Sequence, residues 1–267
     1  MLVGAFIVPH PPLIIPAVGR GQEDGIPKTV ESYEQIAAKI RELKPETVVI
    51  TTPHSIMYRD YIHISPGSEA SGSFAQFGAP QVNFHIAYDQ ELAEQISDFS
   101  EEDRISAGFL GEQDPELDHA FMIPLYFIRD LIGSTKFVRI GLSGMSAETH
   151  YRFGEEITKA SDQLGRRIVL IASGDLSHVL KKDGPYGYRP EGPEFDSELV
   201  SIIKRDKLPE LLDFDEGFCD RAAECGLRSF IIMAGALNGL KYKTRFLSYE
   251  GPYGVGYACA EFIPDQS

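Results

Sequence analysis

At 267 residues, with 43% hydrophobic and 24% charged residues, the chain has the make-up of an ordinary globular protein, neither disordered nor fibrous. Its 40 acidic and 25 basic residues give a formal net charge of -15, which argues against a nucleic-acid partner and disfavours an anionic membrane surface. No run approaches the roughly 18–20 apolar residues of a membrane span, and three cysteines without CxxC spacing (Cys219, Cys225, Cys259) speak for a reducing, cytoplasmic setting and against a structural zinc site.

In chain order, the apolar run Val3–Val8 is cut off by prolines and lacks a basic leader, so it reads as a strand rather than a signal peptide. Thr29–Leu43 has helical spacing and stops at Lys44-Pro45. Thr47–Thr52 is a buried strand closed by Pro53, and Tyr61–Ser65 is another strand. Gly67–Gly78, rich in Ser and Gly, reads as a surface loop. Helices are expected over Asp89–Phe99 and His119–Leu131, a strand over Lys136–Leu142, and a helix over Ala147–Leu164. Arg167–Ala172 (RIVLIA) is the clearest buried strand. Helices at Asp196–Lys204 and Arg221–Leu240 follow. Two antiparallel strands, Lys241–Tyr249 and Gly254–Phe262, close the chain around Glu250-Gly251-Pro252-Tyr253. Alternating strands and helices predict an α/β fold with a mainly parallel or mixed central sheet covered by helices on both faces. With no repeat and no linker, residues 1–267 read as a single domain.

Three apolar strands end alike. The first runs into Pro9-His10-Pro11, the second into Pro53-His54-Ser55, and RIVLIA into Ser173-Gly174-Asp175-Leu176-Ser177-His178. Ligands of open α/β sheets bind outside the carboxyl ends of the strands, so these histidines are candidates for one site. His119 stands at the start of a helix. His63, His85 and His150 lack such a setting and read as exposed or core residues. Neutral imidazoles suit zinc, iron, copper and nickel, and two histidines with one carboxylate suit Fe(II) oxygen chemistry. Glu224 is the carboxylate candidate, though an acid at that place equally serves a helix N-terminus. Asp175 and Asp118 are positioned to accept a histidine ring N–H, or to cap the turns that follow them.

At these residues the chain resembles the class III extradiol ring-cleaving dioxygenases, the superfamily of the protocatechuate 4,5-dioxygenase catalytic subunit, and the related MEMO proteins. The matching pieces are VPHPP at 8–12, TTPHS at 51–55, LDHAFMIPLYF at 117–127, SGDLSH at 173–178 and AAECGLRSFIIMAGAL at 222–237. The last also resembles dioxygenase-like proteins found alongside AMMECR1-type and radical-SAM proteins. The resemblance implies a mononuclear Fe(II) held by His10, His54 and Glu224, with His178 as acid/base and His119 as a second active-site histidine. It implies a catechol-like substrate and O2. In the MEMO branch a Cys-Gly pair occupies the third ligand position, which Cys225-Gly226 match, so a metal- or peptide-binding protein without ring cleavage is the alternative. A metal-dependent hydrolase is a third reading. Tyr186, Tyr188 and Arg189 could line a pocket for an aromatic acid. A homo-oligomer is compatible with the chain, but no interface is legible.

Overall fold

A computed structural model describes residues 1–113 and 116–265. β1 (Leu2–Val8) stops at Pro9, and a short α1 (Pro16–Gly19) leads to α2 (Pro27–Leu43), which begins on a proline. β2 (Thr47–Thr52) stops at Pro53. After β3 (Ile62–His63) come β4 (Glu69–Phe74) and β5 (Ala79–Ala87), then α3 (Gln90–Glu102) and β6 (Ala107–Gly108). α4 (His119–Phe127) is capped by the Asp118 side chain. β7 (Lys136–Gly141), α5 (Ala147–Gln163), β8 (Ile168–Ser173), α6 (Glu191–Lys204), α7 (Glu216–Ala222), α8 (Leu227–Ala236), β9 (Tyr242–Glu250) and β10 (Tyr257–Pro264) follow.

Six strands form one mixed sheet in the order β7-β2-β8-β1-β10-β9. The first four are parallel, and β10 and β9 add antiparallel at one edge. Side chains of a strand alternate between faces, so Val48 and Ile50 pack with α2 and α4, while Val49 packs with α5 and α8. Both faces are buried, as a largely parallel sheet requires. This is the expected α/β fold. No helix among the described residues is long and apolar enough to cross a membrane. β2, β8 and β1 are direct neighbours, so the chain following each of them emerges side by side at one edge.

Several expectations need correction. Gly67–Gly78 contains β4 and the turn of a hairpin with β5. Ala70 and Phe74 point inward at period two, and Gly72 between them lies so close to Leu117 and Met122 that a Cβ would overlap both. A glycine that enables packing looks in sequence like a loop residue. The strand at Tyr61–Ser65 is only Ile62–His63 long. The helix expected to reach Leu131 ends at Phe127, and the one expected at Asp196 begins at Glu191. The single helix Arg221–Leu240 is two helices, broken at Ala223, whose φ of 52° is left-handed. Apolar periodicity runs across that break without a proline to mark it.

Candidate metal centre

The three neighbouring strands deliver the histidines as their order predicts. Among the described residues, His10, His54 and His119 form a group whose ligand atoms all lie within 4.8 Å of one another. Their ring centroids are 5.0 Å (His10–His54), 5.6 Å (His10–His119) and 4.3 Å (His54–His119) apart. His10 is buried, His119 half-buried, and His54 exposed, so the cluster opens on the His54 side. Three imidazoles suit a transition-metal ion far better than calcium or magnesium, which take oxygen ligands.

Each ring has a scaffold. The backbone N–H of His10 donates to Asp175 Oδ1 at 2.7 Å, and the Tyr33 hydroxyl donates to the carbonyl of Pro9 beside it. His10 Nδ1 lies 3.1 Å from Ser173 Oγ, which is 2.8 Å from the Ala120 carbonyl. The His54 N–H donates to Thr52 Oγ1, whose hydroxyl donates to Asp118 Oδ1 at 2.7 Å. That same carboxylate oxygen accepts the N–H of Phe121 at 3.0 Å, and the buried Arg139 guanidinium stands 3.9 Å from Oδ2. Thus Asp118 and Asp175 hydrogen-bond backbone and hydroxyl groups, and the second carboxylate oxygen of Asp175 stands 3.8 Å from His10 Nε2. Ser173 and Thr52 were missed in sequence, where a serine or threonine closing a strand carries no signal of its own.

His178 stands beside the group. Its Nδ1 is 2.6 Å from the carbonyl of Ala223. A carbonyl only accepts, so Nδ1 carries the proton and Nε2 keeps a lone pair. The left-handed turn at Ala223 is what turns that carbonyl toward His178. Tyr186 packs edge-on against His178 with centroids 5.4 Å apart, and Phe77, from the β4–β5 turn, packs against His119 at 5.4 Å. Tyr188 is exposed, and the Arg189 guanidinium reaches the Arg221 carbonyl. Of the other histidines, His63 and His150 are buried and His85 is exposed.

Glu224 and Cys225 part company. The Glu224 carboxylate accepts the N–H of Leu227, the first residue of α8, at 2.7 Å, and lines a small cavity with Cys219 and Arg228. It is not in the histidine group. Cys225 Sγ lies 3.6 Å from His10 Nε2. The expectation of Glu224 with two histidines, and of His119 apart from them, therefore does not match the grouping: His119 joins the cluster and Cys225 borders it. Side chains of adjacent residues in a turn diverge, and sequence does not say which way each points.

Burial dominates the electrostatics. It pushes His54 and His178 down, His10 well down with help from the other three rings, and His119 down to about 4, with His54 assisting. The lone pairs are therefore free at neutral pH. Proton competition at His119 should begin near pH 4 instead of near 6.5, so metal bound at pH 7 should be retained at pH 5.5. Bound metal measured after desalting across this range checks it; loss of half the metal between pH 7 and 6 would contradict it.

Residues 4–260 match the family described as the catalytic LigB subunit of aromatic ring-opening dioxygenase. The chain belongs to this family. It is 41% identical over 263 residues to Protein CA_C1420 of Clostridium acetobutylicum, covering 96% of this chain but 56% of that protein, so it spans little more than half that relative's length. It is 29% identical to a MEMO1 family protein of Methanococcus vannielii, covering 84% of this chain and 71% of that one. The beta subunit of 2-aminophenol 1,6-dioxygenase from a Pseudomonas species is 23% identical, covering 98% and 93%. Members of this LigB family generally use a metal ion, and the three-histidine group is where one fits.

Proposed function

We propose that the chain is a non-haem Fe(II)-dependent dioxygenase of the extradiol type, opening a small catechol-like ring with O2. The observation that carries this reading is the convergence of His10, His54 and His119 beside His178, whose Nε2 is unprotonated and directed by the Ala223 carbonyl. The imidazoles of His10, His54 and His119 would hold the ion, which when bound would template the ring oxygens and act as Lewis acid. His178, kept neutral by burial, would take the proton of a ring hydroxyl at Nε2 and return it later. Tyr186 and Phe77 would present ring edges and faces to an aromatic substrate. Anaerobic loading with Fe(II), then oxygen uptake with catechols and 2-aminophenol, tests this. Uptake with a ring-opened product is expected; tight metal binding with no uptake across the panel would refute it.

A second reading, a MEMO-like metal-binding protein without ring cleavage, is favoured by Cys225. Nitrogen and sulfur ligands at about 2.1 and 2.3 Å on one tetrahedral ion stand about 3.6 Å apart, the separation found between His10 Nε2 and Cys225 Sγ. Cys225→Ala is then expected to weaken metal binding by at least about 100-fold, beyond what loss of an outer partner does. Glu224→Ala should spare the metal and lower stability by about 1–3 kcal/mol, the cost of leaving the buried Leu227 N–H without its acceptor. Calorimetric metal titration and denaturation of both variants measure this; the reverse pattern would restore the two-histidine, one-carboxylate set.

A further inference from the structure

We propose that Ser173 is a positioning residue whose hydroxyl, committed to the Ala120 carbonyl because Pro124 cannot serve that carbonyl, locks His10 as the Nδ1–H tautomer with its Nε2 lone pair facing the cluster. The tautomer stands on its own; its consequence for metal binding rests on the reading above.

In an α-helix the carbonyl of residue i accepts the N–H of residue i+4. For Ala120 in α4 that residue is Pro124, which has no N–H. Ala120 is fully buried, so its carbonyl needs another donor. Ser173 Oγ, at the end of β8 and also fully buried, lies 2.8 Å away. A hydroxyl has one proton. With that proton on Ala120, Ser173 Oγ can only accept from His10 Nδ1 at 3.1 Å. Nδ1 must therefore carry hydrogen, leaving Nε2, which stands 3.6 Å from Cys225 Sγ and 3.8 Å from Asp175 Oδ2, as the ligand atom. The same hydroxyl ties the turn carrying His10 to the first turn of α4, which carries His119.

The test is proton-detected 15N NMR of the metal-free protein with labelled histidine, together with calorimetric titration of zinc. Wild type should show a single Nδ1–H form of His10. Ser173→Ala should give mixed or Nε2–H tautomers and weaken zinc binding about 10–100-fold, and Ser173→Thr should restore both. Pro124→Ala returns an N–H to Ala120 and frees the serine proton, so it should loosen the tautomer while leaving the helix at least as stable. A purely structural role predicts no such loss. An Nε2–H form in wild type, or an unchanged tautomer in Ser173→Ala, would overturn the proposal. A wild-type protein that shows the Nδ1–H form but binds no zinc supports the lock and refutes only the metal reading.

Discussion

Replacing His178 with alanine is expected to lower turnover by about 10²–10⁴-fold, the usual contribution of a general acid/base, while metal affinity stays within about threefold of wild type. His178 is outside the group of His10, His54 and His119, and its ring is held by its Nδ1 proton on the Ala223 carbonyl and by the edge-on Tyr186 ring. Removing the ring takes away a proton acceptor without removing a ligand. His10→Ala should do the opposite. That ring is buried, borders both His54 and His119, and has Cys225 Sγ 3.6 Å from its Nε2, so its loss should abolish tight metal binding. Oxygen uptake and metal titration on the two variants separate the roles. Full metal occupancy in His10→Ala, or undiminished turnover in His178→Ala, would show the roles to be wrongly divided.

Gly174→Ala is expected to destabilise the protein by about 1–3 kcal/mol, the range for overpacking a filled interior, and to displace Cys225 from His10. A Cβ at Gly174 would overlap the Cα of Gly226 and press on the Phe230 ring. The Gly226 atoms are backbone of the turn between α7 and α8, which cannot rotate out of the way as a side chain can. The turn is held here by the Cys225 N–H on the Asp175 carbonyl and by the N–H of Phe230 on Gly226. Moving it also carries away the Ala223 carbonyl that orients His178. For a chain of this size the stability loss corresponds to a fall in Tm of several degrees. Differential scanning calorimetry with zinc titration measures both effects; wild-type Tm together with wild-type affinity would show that the two glycines need not touch.

The strands were legible because a buried parallel strand is a continuous apolar run, and proline or glycine marks where it stops. Val3–Val8, Thr47–Thr52 and Arg167–Ala172 needed nothing else. The β4–β5 hairpin was not, because its packing depends on the absence of a side chain at Gly72. The break at Ala223 was not, because an alanine forced into the left-handed region leaves no trace in the apolar pattern. It is held there by hydrogen bonds with Asp175, Ser177 and His178, in the segment that follows β8 and is remote in sequence.

The sequence by itself determined the α/β class, the three strand ends and the histidines they carry, since each is a local consequence of apolar runs, prolines and residue type. Only the tertiary structure decided which atoms face the centre. It drew His119 into the group with His10 and His54, turned Glu224 to the first N–H of α8 and Cys225 toward His10, and set Ser173 against His10 Nδ1 and the Ala223 carbonyl against His178 Nδ1. The physical reason is that direction is set by backbone torsion and by which distant groups remain unsatisfied. Neither quantity is carried by the identity of a residue or its neighbours along the chain.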